Sequence, residues 1–358
     1  MLDESAYTLG LTRLPSFGAV RLRKLLSLFG SAEALWRANR KEFCSLDVPF
    51  AWSSVLIKER SDINLEQEVR KYHNAGITFL PCADPRFPDL LKEIPDAPIG
   101  IYVRGELFKA PLTLAVVGTR RLTSYGSHMT NEIVQDLASV GVTIVSGLAL
   151  GIDGVAHTAA LEAGGRTVAV LACGLDDLYP HTHAGLAHRM VEHGGAVISE
   201  FPLGTPSLKH HFPIRNRIIA GCSSGVLVTE APKKSGALLT AKLGLDYNRD
   251  IFALPGPVTS ETSVGTNHLI RDGAMLIECA QDILEHYHLT APKMDEPLAA
   301  LTETEQILLA QIGREPLTVD QIQNRCRLNT SVINATLLCL QMKGWIVQID
   351  PLHYLRNR

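Results

Sequence analysis

Residues 112–121 read LTLAVVGTRR, and residues 143–157 read TIVSGLALGIDGVAH. In both stretches an apolar run of strand length ends in a loop containing glycine, and a helical pattern comes next. Further apolar runs of this kind occur at residues 167–171, 196–199, 225–229 and 251–254. Strands that are apolar throughout and separated by helices indicate a parallel sheet covered on both faces. Residues 112–288 are therefore predicted to form a doubly wound α/β fold, with binding loops at the carboxyl ends of its strands.

The flanking segments predict additional parts. Short helical patterns fill residues 1–75, and a proline-rich arm at 76–110 ends in a predicted strand at 99–104. A polar stretch at 289–298 is typical of a linker. The pattern of helix, helix-turn-helix and hairpin at 299–358 predicts a winged helix.

The composition of the whole chain limits the possible partners. The 358 residues carry a formal net charge of −3, so a nucleic-acid site would have to be a local basic patch. Seven cysteines are scattered without a C-x-x-C pair, which argues against zinc ribbons. The first residues, MLDES, do not begin a signal peptide, and no apolar run could span a bilayer. We expect a cytoplasmic protein with no metal, no cofactor and no membrane partner.

Two loops have the composition of phosphate sites. Gly118-Thr119-Arg120 leads from a strand into a helix, where backbone amides, the positive helix end and a guanidinium can hold an anion. The alternative is a tight turn with an exposed arginine. Ser235-Gly236 forms a similar loop, but neither loop matches the Walker A or dinucleotide pattern. Gly147, after the run 143–146, would allow a ligand to approach the backbone closely.

Positive charge and an aromatic ring alternate over residues 208–217, LKHHFPIRNR. Single-stranded nucleic acid needs this combination, because cations bind phosphates and a ring stacks on a base. The pattern places Arg215 and Arg217 near the start of an apolar helix, where arginine is unfavourable unless an anion is bound. For one of the two we expect an internal ion pair instead, with Glu200 or Glu230.

Phe212 has two interpretations. It is either a stacking platform for a base or a core residue packed against Ile218 and Ile219. The cations beside it and Pro213 favour a surface loop, and therefore the stacking role.

Five motifs, taken together and in order, resemble the DNA-processing protein A (DprA/Smf) family. They are GTR at 118–120, SGxAxGIDxxAH at 146–157, FPxRNRIIAG at 212–221, SGxLxTA at 235–241 and GxNxLIxxGA at 265–274. The resemblance implies an extended Rossmann-like domain that binds single-stranded DNA, forms homodimers and loads the recombinase RecA. It also implies a sterile-alpha-motif-like or helix-hairpin-helix-like N-terminal domain.

The resemblance also implies roles for individual residues. Arg120 and Lys209 would each hold a phosphate, Phe212 would stack on a base, and Arg215 and Arg217 would complete the pocket. The loop positions that would accompany them are Gly118, Thr119, Gly147, Ser235 and Gly236.

The sequence departs from the family pattern at two places. The first glycine of the N-terminal hairpin is Ser16, which puts DNA contact by this hairpin in doubt. His181 and His183 occupy a loop that usually carries a lysine and an asparagine, so this edge of the site is expected to be less cationic.

We therefore expect a non-enzymatic protein that protects incoming DNA and loads RecA during natural transformation. The alternative is a nucleotide-binding or nucleotide-hydrolysing enzyme, for which Glu230, Asp153 and His157 are candidate groups. His157 can equally be a buried, hydrogen-bonded side chain.

A transcription regulator is a third class, but the third helix of the winged helix carries only Lys343 as a cation. We favour a protein-interaction role for that domain.

Overall fold

The computed structural model describes residues 2–289, 301–313, 316–326, 328–350 and 353–356. Contacts divide the chain into an N-terminal unit, Met1–Ala291, and a C-terminal unit, Pro292–Arg358. The predicted linker at 289–298 lies outside the described residues except for Leu289.

A single large sheet organises the N-terminal unit. Its strands are β1 (Thr78–Pro81), β2 (Gly100–Gly105), β3 (Thr113–Val117), β4 (Thr143–Ser146), β5 (Thr167–Leu171), β6 (Ala196–Ser199), β7 (Gly225–Val228), β8 (Asp250–Ala253) and β9 (Met275–Leu276). Within residues 2–289 these nine strands have the order β1-β2-β6-β5-β4-β3-β7-β8-β9. The strands from β6 to β9 are parallel, whereas β1 and β2 add an antiparallel edge.

Helices cover both faces of this sheet. They are α7 (Asp89–Glu93), α8 (Ser124–Ser139), α9 (Ile152–Glu162), α10 (Ala184–Glu192), α11 (His211–Gly221), α12 (Gly236–Asp246), α13 (Val264–Arg271) and α14 (Ala280–His286). Successive residues of β3 point to opposite faces of the sheet, and each face has its own hydrophobic core. Leu114 and Val116 belong to the cluster under α8, α9 and α14, whereas Ala115 and Val117 belong to the cluster under α7, α11 and α12. The prediction of a parallel sheet buried on both faces is confirmed.

The first helices form a layer of their own and also reach the sheet. They are α1 (Glu4–Thr12), α2 (Ala19–Phe29), α3 (Ala32–Arg37), α4 (Arg40–Ser45), α5 (Phe50–Ser61) and α6 (Leu65–Asn74). The buried Tyr72 of α6 stacks on Tyr102 of β2 with ring centroids 4.7 Å apart. Thr12 also contacts the Tyr102 hydroxyl at 2.5 Å. These helices therefore share one unit with the sheet, and the predicted domain boundary at residue 75 stays a prediction.

The C-terminal unit has the helices α15 (Glu303–Leu309), α16 (Val319–Cys326) and α17 (Thr330–Met342). Its strands are β10 (Leu317–Thr318), β11 (Ile346–Asp350) and β12 (His353–Arg356), in the order β10-β12-β11. Leu308, Ile322 and Leu337 lie in its core. The predicted helices and hairpin are present, and β10 is an additional strand.

The strand order reverses at β3, which sets the position of the site. From β3 the chain proceeds to one side through β4, β5 and β6, and it then returns through α11 to place β7 on the other side of β3. At such a switch point the loops after neighbouring strands diverge and leave a crevice.

Candidate nucleic-acid interface

A pocket of about 290 Å³ occupies this crevice, at the carboxyl ends of β3 and β7. It contains seven of the ten predicted site residues together with neighbours from α9, α11 and α12. Its lining residues are Val117, Gly118, Thr119, Arg120, Ala149, Asp153, Phe212, Arg215, Asn216, Ile219, Pro232, Lys234, Ser235, Gly236, Ala237 and Thr240. Gly147 touches Arg215 just behind it, while Lys209 and Arg217 are not part of the lining.

The loop after β3 is held tightly at its base. An ideal Cβ on Gly118 would lie 2.5 Å from Cγ1 of Ile152, so this position has room only for glycine. The Thr119 amide donates to the carbonyl of Glu230 at 2.8 Å, and the Thr119 carbonyl accepts from the Ile152 amide at 3.2 Å. Arg120 follows at the rim, where its side chain is exposed. The loop therefore presents Arg120 from a fixed backbone.

Glu230 is a structural residue of this rim. Its buried carboxylate accepts hydrogen bonds from the Thr123 amide at 2.9 Å and the Thr123 hydroxyl at 2.7 Å. It accepts a third from the hydroxyl of Thr262 at 2.8 Å. One carboxylate thus joins the loops that follow β3, β7 and β8.

Arg215 is buried behind the pocket and bonds to main-chain atoms. Its guanidinium donates to the carbonyl of Gly147 at 2.6 Å and to the carbonyl of Val170. The carboxylate of Asp153 accepts from the Gly147 amide at 3.1 Å. A side chain on Gly147 would collide with the guanidinium, which explains this glycine. Arg215 therefore acts as part of the pocket wall.

Burial shifts the pKa values of both charged groups. It lowers the pKa of Arg215 to about 10, and the negative charge of Asp153 partly opposes this shift. It also raises the pKa of Asp153, while Arg215 and the amides of the loop oppose that change. Arg215 is still protonated at neutral pH, so it contributes positive potential to the pocket.

Helix α11 begins earlier than the sequence predicted. It starts at His211, and Pro213 lies in its first turn, where a missing amide hydrogen costs little. The prediction that Phe212 and Pro213 form a loop, with Arg215 and Arg217 near the helix start, is therefore wrong. Both arginines lie in the second turn, and they are buried because α11 packs on the sheet.

Phe212 lies at the pocket mouth and is partly exposed. Its ring centre is 5.1 Å from the guanidinium carbon of Arg120 and 5.8 Å from that of Arg215. The ring of Tyr179 meets it edge-on at 6.2 Å. The core under α11 contains Ile218 and Ile219, and Phe212 is not a member of that cluster.

Arg217 faces away from the pocket. Its guanidinium contacts both carboxylate oxygens of Glu200 at 2.5 Å, and it lies 3.6 Å from Asp96 of the arm. Only 7% of Arg217 is exposed. The expected ion pair with Glu200 is thus present, and two carboxylates neutralise the cation that the family resemblance would place in the pocket. Lys209, by contrast, is exposed just before α11.

The amino terminus of α12 forms the opposite rim. The hydroxyl of Ser235 caps the helix by accepting from the Ala237 amide at 3.2 Å, and Gly236 is exposed beside it. Asn216 donates to the Gly236 carbonyl at 3.3 Å and fixes this turn to α11. Lys234 also lines the pocket. Asn216 and Lys234 were not predicted as site residues, although the pair KK at 233–234 beside Ser235 was an available signal.

His157 lies behind the site and is fully buried. The Thr167 hydroxyl donates to the Ile144 carbonyl at 2.8 Å, so His157 Nδ1 carries the hydrogen in its 2.7 Å bond to that hydroxyl. Burial, together with the neighbouring His183 and Arg215, lowers the pKa of His157 to about 3. The interpretation as a buried, hydrogen-bonded histidine is confirmed. All three candidate catalytic groups, His157, Glu230 and Asp153, therefore make hydrogen bonds within the protein.

The loop that carries His181 and His183 lies outside the pocket lining. His183 bonds through Nδ1 to the Leu148 carbonyl at 2.9 Å, and its ring fills the space above Gly154. His181 is exposed, 3.7 Å from Asp177.

Among the described residues, no group of three or more His, Cys, Asp or Glu side chains is arranged to hold a metal ion. The helices of the described ranges include none with the length and hydropathy needed to cross a bilayer.

Known proteins resemble this chain in sequence. Residues 78–288 match the family described as DNA recombination-mediator protein A, and residues 292–350 match the DprA winged helix domain. Protein Smf of Escherichia coli (strain K12) is 42% identical over 292 residues, covering 78% of this chain and 77% of that protein. DNA processing protein DprA of Bacillus subtilis (strain 168) is 39% identical over 223 residues, covering 62% and 75%.

Solved structures agree with these matches. DNA processing protein A from Streptococcus pneumoniae superposes with a TM-score of 0.68 at 33% identity, covering 79% of this chain and 98% of that one. DNA processing protein A from Helicobacter pylori, described for its single-stranded DNA binding mode, gives a TM-score of 0.53 at 31% identity, covering 59% and 94%. The sequence motifs, the fold and these matches lead to one conclusion: the chain belongs to the DNA recombination-mediator protein A family, the family of DprA and Smf.

Proposed function

We propose that this protein binds single-stranded DNA, without strong sequence preference, through the pocket between β3, β7 and α11. One observation carries the proposal: the partly exposed ring of Phe212 lies at the pocket mouth, 5.1 Å from the guanidinium carbon of Arg120 and 5.8 Å from that of Arg215. A partly exposed ring can stack on any base, and cations next to it can meet the flanking phosphates. The Helicobacter pylori relative described as binding single-stranded DNA supports the same ligand.

The proposed arrangement assigns a role to each side of the mouth. Arg120 and the exposed Lys209 contact phosphates as the strand passes Phe212. The amides at the start of α12, next to Gly236, take a third phosphate, because this helix end carries a partial positive charge. Arg215 makes its hydrogen bonds to carbonyls and acts through its charge. Arg217 is a structural residue in this proposal.

The wider role follows from the family. We propose that the protein protects incoming DNA and loads RecA during natural transformation, in the cytoplasm and without catalysing a reaction itself. We also propose a homodimer formed through the β9 edge, where Met275 and Leu276 are 40% and 45% exposed. The winged helix would bind a protein partner rather than duplex DNA, because two of its cations are engaged within the domain. Lys343, which follows α17, pairs with Glu305 at 2.8 Å, and Arg325 donates to the Gln311 carbonyl at 3.2 Å.

The deciding experiment titrates the full chain with a mixed-sequence oligonucleotide, single-stranded or annealed to its complement. We expect clearly tighter binding of the single strand, and we expect Arg120→Glu to abolish most of that preference. Arg121→Glu is the matched control, because Arg121 is exposed on the same loop and does not line the pocket. Equal affinity for both forms would overturn the proposal. Nucleotide hydrolysis that survives purification and is lost in Glu230→Gln would favour the enzyme alternative.

A further inference from the structure

The N-terminal helices carry a second group of aromatic rings and cations, which contains no residue of the pocket. Trp52 of α5 lies 5.3 Å from the guanidinium carbon of Arg21 and 5.9 Å from the ammonium of Lys24, measured to its ring centre. Two residues before it, Phe50 lies 4.6 Å from the guanidinium carbon of Arg40. We name these five residues the N-terminal aromatic surface.

The charges of this surface are not balanced inside the protein. Within the described residues, none of Arg21, Lys24 and Arg40 lies within 4.0 Å of a carboxylate. Arg21 and Lys24 are three residues apart on α2 and approach the same ring, so their like charges repel each other. An anion bound between them would relieve this repulsion.

Glu59, a carboxylate of α5, is engaged with the turn that precedes α2. Glu59 of α5 accepts from the amide of Ser16 at 3.4 Å and also contacts the Ser16 hydroxyl. Arg21 donates to the Ser16 carbonyl at 3.3 Å. The hairpin around Ser16 is therefore closed by Glu59, and its amide is not available to a phosphate. The aromatic side chains, rather than the hairpin backbone, are the exposed feature of this region.

The ring of Phe50 is accessible to a ligand, whereas Trp52 is partly exposed and packs on the core of the N-terminal helices. Phe50 is 63% exposed, which is unusual for a phenylalanine, and Val20 of α2 is 62% exposed. Apolar side chains scattered singly on a surface need no explanation, but an exposed ring held under a guanidinium presents a π face next to a positive charge. Bases stack on such rings while their phosphates meet the cations.

We propose that the N-terminal aromatic surface is a second contact site for single-stranded DNA. Charge complementarity selects this ligand over a neutral apolar partner, and the exposed ring of Phe50 beside Arg40 selects it over a simple polyanion. The inference rests on the proposed function of the pocket only in its choice of ligand. A strand long enough to occupy both places would gain affinity because the second contact becomes intramolecular.

The test measures the fluorescence of Trp52, which belongs to the N-terminal aromatic surface. The chain has three tryptophans, Trp36, Trp52 and Trp345, so a variant with Trp36→Phe and Trp345→Phe leaves Trp52 as the only indole. Oligothymidylate is expected to quench its fluorescence. Lys24→Glu should weaken that binding and reduce its salt slope by about 0.7 or more, since one phosphate contact is lost. Lys58→Glu, another exposed lysine of this helical region, is the matched control and should change neither.

Phe50→Ala tests the second ring in the same assay. It should lower the affinity measured at Trp52 by about fivefold or more, the low end for one base stacked on a ring. Leu245→Ala removes an equally exposed apolar side chain from α12 and should have no effect. If the single-tryptophan variant does not fold, the 5-fluorotryptophan resonance of Trp52 in the otherwise unchanged chain replaces fluorescence.

The outcomes separate this inference from the proposed function of the pocket. Quenching that persists in the Phe212→Ala background supports the second surface, whether or not the pocket binds DNA. No response at Trp52 while total binding is intact would overturn the second surface alone. An equal response to polyglutamate would also overturn it, because it would indicate an acidic protein partner.

Discussion

The guanidinium of Arg120 lies over the ring of Phe212, with 5.1 Å between the guanidinium carbon and the ring centre. Arg120 comes from the loop after β3, and Phe212 comes from the first turn of α11. The contact therefore joins two elements that are far apart in sequence, at the point where the proposed DNA strand enters. Because the two residues lie on different elements, Phe212 and Arg120 can each be substituted separately.

Lys209→Glu and Phe212→Ala should differ in their salt response. Removing a phosphate cation lowers the magnitude of the salt slope for a single strand by about 0.7, and reversing its charge lowers it further. Losing the ring should reduce affinity by about 1–3 kcal/mol while the slope stays nearly unchanged. A salt titration of both variants measures this, with thermal melts alongside. A folded Phe212→Ala protein that binds like the wild type would refute the stacking role.

Arg217 should matter for stability rather than for DNA. Arg217→Met leaves the partly buried carboxylate of Glu200 without its partner, which we expect to cost about 3 kcal/mol. Urea unfolding measures this loss, and Arg217→Met combined with Glu200→Leu should recover part of it. The DNA affinity of the folded fraction should stay within twofold or so of wild type, since the side chain faces the arm. A large change in salt slope would instead place Arg217 on the DNA.

His157 should make the protein less stable in mild acid. Its pKa is about 3 when folded, against 6.5 for an ordinary histidine. Because the folded pKa is depressed, its contribution is fully present above pH 6.5 and is lost as the pH falls towards 3. Between pH 7 and pH 5 the free energy of unfolding should drop by about 2 kcal/mol from this group.

Asparagine can donate to Thr167 in place of His157 Nδ1 but does not titrate. His157→Asn should therefore remove this part of the pH dependence, although it lowers stability at pH 7 as well. Urea unfolding at both pH values compares it with His188→Asn, a change at an exposed histidine. Identical pH dependence in His157→Asn and the wild type would contradict the assignment.

The β9 edge can be tested by charge. Leu276→Lys introduces a cation on the exposed side of the last strand, and it should shift the proposed homodimer towards monomer in light scattering. Leu245→Lys, at a side chain that is 66% exposed on α12, should leave the mass unchanged. A wild-type monomer at micromolar protein would remove the basis for this prediction.

The sequence predicted the parallel sheet and the glycine loops because both depend on local patterns. The runs at 113–117 and 143–146 are apolar throughout, and Gly118 and Gly147 have tertiary neighbours that exclude a side chain. The start of α11 was missed because proline is favoured both in the first turn of a helix and in loops. The four residues of β1 were missed because so short a strand carries little periodicity.

The orientation of arginine side chains was the least predictable part of the site. Arg215 and Arg217 are two residues apart, yet one points to the carbonyls behind the pocket and the other to Glu200. That choice depends on Val170, Asp96 and Glu200, which come from other elements. No pattern within residues 208–217 contains this information. The ion pair itself was foreseeable, since two adjacent buried cations need nearby acceptors.

The carboxylate of Glu230 ties Thr123 and Thr262 together, so the pocket mouth is already assembled before any ligand arrives. A binding site whose loops are ordered during folding does not have to order them again on association. The strand, rather than the protein, then supplies most of the conformational entropy lost when the complex forms. The protein can therefore accept and release successive stretches of a flexible polymer without refolding its own loops between them.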